Sequence, residues 1–425
     1  MVDIECLSSI GVGTYRMSSQ HEIHFQALKT AVENGYNLID TATNYCKGTS
    51  EELIGNFIEV HPSCADKLFI ISKAGYLPTQ ELRTADFLQF LAENTPSIAE
   101  IDTDFEYSLD PSFINYQLES SLNKIKRDYV DVYLLHNPER LFQSKNLNKY
   151  SDLHAAITKA FALLEEKVAE GKIRYYGVSS NNIFDPSQNG AISCQELLDI
   201  AASIQADHHF KFIQFPFNFK ERAALQANYQ NQSLLELARK NGLITIGNRP
   251  LNMNENGLEF RLVTHEEALK NWKEQEAILS LDRFLQRVDS EIKELTASSS
   301  TVLDFEPMVL LQKHFANFQG RDAVERFFQQ QIIPFIQTVF EENWTPIEAL
   351  LEQTKKQACL YALNNQTTRT KLFLDQLKQE DIPIKENSVL TACHAYIHHF
   401  KLDHVLVGLR KPTYVHALNR TFARK

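Results

Sequence analysis

The sequence predicts an α/β chain folded as a (β/α)8 barrel, with a helical insertion between strand 7 and helix 7. Three observations predict it. From Ile23 to Leu251, amphipathic helix patterns alternate with short apolar runs, as in a buried parallel sheet. With one early run and one near the end, the apolar runs number about eight, which suits closure of such a barrel. Each run ends in polar residues, and a closed parallel barrel gathers those ends on one rim. A doubly wound open sheet shows the same alternation, so the count of runs is what favours the barrel.

The elements follow in order. IGVGTYRM opens the series at Ile10, and its Gly11 and Gly13 lack the third glycine and the helix start of a dinucleotide fingerprint, so they read as a strand-end turn. The helical HFQALKTAVENG precedes YNLIDTA, which ends at Asp40, and KLFIISKAG then carries Lys73. YQLESSLNKI precedes DYVDVYLLHNP with His136, and AFALLEEKVAEGK precedes IRYYGVSSN with Ser179. QELLDIAASI precedes FKFIQFPFN with Gln214, and SLLELARKNG precedes LITIGNRPL with Asn248 and Arg249. Gly35, Gly171 and Gly242 each sit just past a helical pattern, where a left-handed stop costs glycine least. SVLTACHAYIHHF and HVLVGL supply the last helix and strand of the series.

Residues 252 to 387 interrupt the pattern before that last pair. The interruption is poor in glycine and reads helical in AVERFFQQQIIPFIQTVF and IEALLEQTKKQACLYAL, so a helical lid or subdomain is expected there. The barrel then comprises residues 1 to 251 and 388 to 425. A shorter elaboration, Leu77 to Pro111, is acidic and irregular, and its charges from Glu100 to Glu106 disfavour anionic substrates.

Composition excludes several classes. Lys plus Arg number 43 against 54 Asp plus Glu, a net charge of −11 without a basic block, so nucleic acid is not an expected partner. No apolar stretch approaches the roughly 20 residues of a membrane span, and Asp3 and Glu5 stand where a signal peptide carries basic residues. A cytoplasmic location is expected. The 6 cysteines include no C-x-x-C, and His394 and His398 lack a carboxylate pattern, so no metal site is expected.

Asp40, Tyr45, Lys73 and His136 put a carboxylate, a phenol, an ammonium and an imidazole on one rim, enough for a proton relay to a carbonyl oxygen. A neighbouring ammonium would lower the Tyr45 pKa, Asp40 would hold that ammonium charged, and His136 would orient the carbonyl. Lys73 is also a candidate Schiff-base nucleophile of an aldolase-like barrel.

The strings LIDTATNYCKGTSEELIG, IISKAG, YLLHNPE, GKIRYYGVSSNN, FIQFPFN and VLVGLRKPTYV, in that order, resemble the aldo/keto reductase family. The resemblance implies a TIM barrel that reduces aldehydes and ketones with NADPH, less often NADH, and without metal. It places the family's catalytic tetrad on Asp40, Tyr45, Lys73 and His136, with Tyr45 as proton donor. It also places cofactor contacts on Gly13, Thr14, Tyr15, Asp40, Ser179, Ser180 and Gln214, then on Asn248, Arg249, Pro250 and Leu251, and finally on Gly408, Arg410 and Lys411. The chain departs from the family at four points. Cys46, Lys47, Gly48 and Thr49 stand between Tyr45 and Ser50 with Glu51, slightly more than the common spacing, and three single positions differ. Ser180 stands where Asn is common, Asn248 where an aromatic stacks on nicotinamide, and Gly408 where a Lys meets the adenosine 2′-phosphate, leaving Arg410 or Lys411 for that phosphate. These departures motivate a second expectation, a cofactor-binding scaffold with vestigial turnover. Residues 252 to 387 would then serve as its docking surface for a protein partner.

Overall fold

The apolar runs form eight strands: β1 Ile10–Gly13, β2 Leu38–Asp40, β3 Phe69–Ala74, β4 Val130–His136, β5 Ile173–Ser179, β6 Phe210–Pro216, β7 Ile244–Asn248 and β8 His404–Val407. In the computed structural model, which describes residues 2–102, 105–144, 150–255, 258–296, 305–340, 344–385 and 387–418, they pair in sequence order. Every neighbouring pair is parallel, and β8 returns to β1 to close the barrel. The expected (β/α)8 barrel is the fold.

Alternation along the strands explains both the core and the rim. Leu38, Phe69, Ile71, Val132, Leu134, Phe212, Ile246 and Leu406 form one cluster inside the barrel. Two residues further along the same strands, the same parity delivers Asp40, Lys73, His136, Gln214 and Asn248 to the carboxyl end. Leu7 joins that cluster, with Val2 and Ile4 packed against it, so the chain's first residues close the opposite end. Gly177 is required by close approach: a Cβ there would lie 1.9 Å from the Phe212 carbonyl oxygen on the neighbouring strand.

The barrel helices are α1 Glu22–Glu33, α2 Thr49–Val60, α3 Pro111–Ile125, α4 Tyr150–Ala169, α5 Cys194–Ile204, α6 Leu234–Lys240, α7 Ser388–His394 and α8 Pro412–Leu418. Their starts are written in the sequence: Asp110 caps α3 ahead of Pro111, Ser193 caps α5, and Ser233 with Glu236 forms a capping box on α6. The segment read as irregular between Leu77 and Pro111 contains a helix, Ala85–Asn94, capped by Thr84, and an antiparallel hairpin of Ala99–Asp102 with Phe105–Tyr107. Phe87 and Phe113 anchor it in a small apolar cluster with Leu77.

By contacts the chain divides into two compact units, Met1–Pro250 with Ala392–Lys425, and Leu251–Thr391. The second unit is not wholly helical, because it opens with an antiparallel hairpin of Asn252–Glu255 and Leu258–Arg261. Its long helices, Glu274–Thr296 and Thr345–Lys378, share a core. Ala277, Leu281, Phe284, Val288 and Ile292 recur at helical spacing on the first, and Ile347, Leu351, Ala358 and Ala362 on the second. Phe328 and Phe335 are buried in that core and Phe327 packs on it, which accounts for the aromatic run. Among the described residues no helix is long and apolar enough to cross a membrane.

Candidate active site

Lys73 is the centre of the rim. Its ammonium is fully buried and sits 2.7 and 2.8 Å from the two carboxylate oxygens of Asp40. It also donates to the Thr41 carbonyl at 2.7 Å and to the Tyr45 hydroxyl at 3.2 Å. Asp40 accepts a further bond, 2.7 Å, from the Gln214 amide. Burial pushes the Lys73 pKa down and the Asp40 pKa up, and each is opposed by the other's charge. The pair therefore stands or falls together.

Tyr45 is presented by an unusual piece of backbone. Cys46 and Lys47 have φ of 47° and 60° and Gly48 has φ 89°, three left-handed residues in succession between Tyr45 and α2. This turn is what the extra residues after the tyrosine build, and Thr49 ties it down by donating to the Cys46 carbonyl at 2.7 Å. The ring of Tyr45 meets Tyr15 edge-on at 5.2 Å and His136 edge-on at 5.8 Å.

The electrostatics correct one expectation. Lys73 does not bring the Tyr45 pKa below its ordinary value. Burial, followed by the nearby Asp40 charge, raises it well above 10, and Arg249 opposes the rise. Burial dominates, and Asp40, which the sequence reading assigned only to holding the ammonium charged, adds to the rise. The phenol thus stays protonated, and because its oxygen accepts from Lys73, its own hydrogen is left to donate. His136 is buried and its pKa falls well below 6.5 through burial, then Lys73, then Arg140, so the imidazole is neutral.

Beside the tetrad, Ser179 donates to the Gln214 side-chain oxygen at 3.0 Å, and Asn248 donates to the same oxygen at 3.3 Å. The side-chain oxygen of Asn248 is buried without a partner among the described residues. Thr14 fixes the other side, bonding the Asp40 carbonyl through its amide at 3.0 Å and its hydroxyl at 2.9 Å. Gly13 lies in register with Asp40.

Not every expected residue joins this cluster. The Ser180 hydroxyl accepts from the Asn182 amide at 3.0 Å, a local turn, while Asn181 reaches the rim instead. The Pro250 carbonyl accepts from Tyr396 at 2.9 Å, and Leu251 groups with the second unit, bonded to the Leu262 amide at 2.8 Å. Gly408, Arg410 and Lys411 follow β8, beside β1, and a Cβ on Gly408 would meet nothing. A cavity of about 580 Å³, lined by Ile4, Leu243, Ile244, Lys401 and Asp403, lies at the opposite end of the barrel, away from this chemistry.

The sequence reading missed Tyr76, Asn137 and Arg140. Tyr76 follows β3, and its ring meets His136 edge-on at 5.1 Å and Tyr107 edge-on at 5.4 Å. Gly75, at φ 137°, makes room for Tyr107, whose ring a Cβ there would meet at 2.5 Å. An aromatic placed three residues past the strand-end lysine was the available signal.

The model of the aldo/keto reductase family matches residues 9–297, a span holding seven of the eight barrel strands. The chain belongs to the aldo/keto reductase family. It is 25% identical over 301 residues to the NADH-specific methylglyoxal reductase of Escherichia coli K12, covering 66% of this chain and 76% of that one. It is 31% identical over 192 residues to protein tas of the same organism, covering 42% of this chain and 50% of that one. Other curated relatives are spanned over 38% to 57% of their length, 42% for a D-threo-aldose 1-dehydrogenase of a Pseudomonas species. A solved aldo/keto reductase from Klebsiella pneumoniae, in complex with NADP and acetate, is 22% identical with a TM-score of 0.37, covering 58% of this chain and 65% of that one.

Proposed function

We propose that this member of the family reduces an aldehyde or ketone to the alcohol with a nicotinamide cofactor, Tyr45 giving the proton. The observation that carries the reading is the Tyr45 hydroxyl, which accepts from Lys73 at 3.2 Å beside a neutral His136. A bound reduced nicotinamide supplies the hydride for the carbonyl carbon. Tyr45 donates its proton to the carbonyl oxygen as negative charge develops there, and the ammonium of Lys73 stabilises the tyrosinate left behind. Asp40 keeps that ammonium charged and fixed. His136, neutral and therefore not the acid, orients the carbonyl by donating a hydrogen bond from its single N–H.

The residues present fit such a cofactor. The unpartnered side-chain oxygen of Asn248 suits the amide hydrogens of a carboxamide, and Ser179 and Gln214 flank it. Thr14 and Tyr15 border the same end of β1. Arg249 offers a cation for the pyrophosphate. With Gly408 lacking a side chain, Arg410 and Lys411 are the cations for a 2′-phosphate, which favours NADPH. The relative named NADH-specific makes NADH the alternative to be tested alongside. All 6 cysteines are free thiols, which suits a reducing compartment such as the cytoplasm.

The test is a titration of the purified chain with NADPH and NADH, read by reduced-nicotinamide fluorescence, followed by turnover on an aldehyde and ketone panel. Saturable NADPH binding with carbonyl-dependent oxidation is expected. Binding without turnover on any carbonyl would instead favour the scaffold reading, and binding of neither nucleotide would overturn both.

A further inference from the structure

A chain of hydrogen bonds crosses the mouth of the barrel above His136. Arg249 donates to the Asn181 side-chain oxygen at 2.5 Å, Asn181 donates to Asn137 at 3.1 Å, and Asn137 donates to the Tyr76 hydroxyl at 2.9 Å. Arg140 donates to the same hydroxyl at 3.2 Å through its Nε. With two donors on its oxygen, Tyr76 has used both lone pairs, and its own O–H remains to donate. Among the described residues no acceptor for that hydrogen is found.

Two guanidiniums, Arg140 and Arg249, border this rim. Asp40 is committed to Lys73, and Glu139, largely buried, has its pKa raised chiefly by burial, opposed by the Asn181 amide at 2.7 Å and by the Arg140 charge. Among the described residues neither Arg140 nor Arg249 has a carboxylate within ion-pair distance. Arg140 meets only the Gln143 side-chain oxygen, at 2.6 Å, besides Tyr76. Within the acidic stretch that was expected to repel anions, Glu106 is paired with Arg83 and Glu100 is exposed on the hairpin.

Resting on the reductase reading above, we propose that Arg140 and the Tyr76 hydroxyl form a receptor for a carboxylate on the substrate, so that short aldehydes or ketones bearing a carboxylate are the preferred class. With the carbonyl oxygen at Tyr45 and His136, whose rings meet edge-on at 5.8 Å, Tyr76 borders the same imidazole edge-on at 5.1 Å, within reach of a short substituent of the carbonyl. The guanidinium offers two N–H donors to one carboxylate and Tyr76 adds an O–H. Such charge-assisted bonds are stronger than neutral ones in a half-buried site. Arg249, at the far end of the chain of bonds, is reserved for the cofactor pyrophosphate.

Paired substrates test this: 4-oxobutanoate against its methyl ester, and 4-formylbenzoate against its methyl ester, in the wild type, Arg140→Gln, Arg140→Lys and Arg249→Gln. The wild type is expected to prefer the carboxylates in kcat/KM by about tenfold or more. In Arg140→Gln that ratio should fall to near one through KM, and Arg140→Lys should restore part of it. Arg249→Gln should raise the KM for NADPH on all four substrates and keep the ratio. A wild type that turns over the esters without preferring the carboxylates overturns the receptor while leaving the reductase reading intact. So does a preference that survives Arg140→Gln. A ratio abolished by Arg249→Gln but not by Arg140→Gln moves the site and overturns the role of Arg140. No turnover of any of the four with either nucleotide, where the wider panel is turned over, overturns the proposed substrate class. No turnover on the wider panel as well overturns the reductase reading itself.

Discussion

Replacing Lys73 by methionine removes the charge at the centre of the rim while keeping most of the side-chain volume. The ammonium is fully buried and bonds Asp40, the Thr41 carbonyl and Tyr45. Removing one member of a buried pair costs about 3–5 kcal/mol, chiefly because the surviving charge is uncompensated. Asp40 keeps its 2.7 Å bond from Gln214, which puts Lys73→Met near the lower end, about 3 kcal/mol. The double variant Lys73→Met/Asp40→Asn removes the orphaned charge and should recover about 2 kcal/mol of that. The loss also has a sign in pH. Burial already raises the Asp40 pKa with Lys73 present, and without the ammonium it rises further above the unfolded value of about 3.9. The native state then holds a proton that the unfolded state has released, so stability falls as pH rises between those two values. Urea unfolding followed by far-ultraviolet circular dichroism at about pH 5 and pH 8 should show Lys73→Met more damaged at the higher pH and the double variant insensitive. A cost below about 1 kcal/mol, or one equal at both pH values, would refute the reasoning.

Three further outcomes follow from the same geometry. Gly177→Ala should cost about 3 kcal/mol or more, read as a lowered Tm, because a Cβ 1.9 Å from the Phe212 carbonyl forces β5 and β6 apart; an unchanged Tm would contradict the close approach. The kcat/KM profile should show no break from His136 between about pH 6 and 8, since burial, Lys73 and Arg140 keep it neutral there. A break near 6.5 that disappears in His136→Gln would contradict that. Glu51 is fully buried behind β3, where it accepts from Ser72 at 2.6 Å, and burial raises its pKa. Native Glu51 therefore binds its proton above the unfolded value and loses stability as pH rises through that window. Glu51→Gln should accordingly be more stable relative to the wild type at pH 8 than at pH 5 in matched urea titrations.

Much of the site was legible because the strand period reaches it. The alternation that fills the barrel with Leu38, Ile71, Leu134, Phe212 and Ile246 carries on by two residues to Asp40, Lys73, His136, Gln214 and Asn248, and each was named from the sequence. Past the strand ends that period stops. Asn137 and Arg249 have φ of 55° and 51°, so the chain turns there and side chains from β3, β4, β5 and β7 meet in an order that no spacing encodes. Asn137 and Arg140 were invisible for that reason, and so was the left-handed stretch that presents Tyr45, while Tyr76 left only its place three residues past Lys73 as a signal. The hairpin strands at Ala99–Asp102 and Phe105–Tyr107 are four and three residues long, too short for alternation to register. The direction of the Tyr45 pKa was missed for a different reason: the sequence names the ammonium and the carboxylate, but not the burial that dominates the shift.

The central claim is that Tyr45 delivers the proton. Single-turnover oxidation of NADPH by an aldehyde, compared between the wild type and Tyr45→Phe at equal nucleotide occupancy, tests it directly. The account predicts a loss of about a hundredfold or more in the chemical step, with NADPH binding unchanged, since only the donating hydroxyl is removed. A rate within a few-fold of the wild type would contradict it and place the acid elsewhere on the rim.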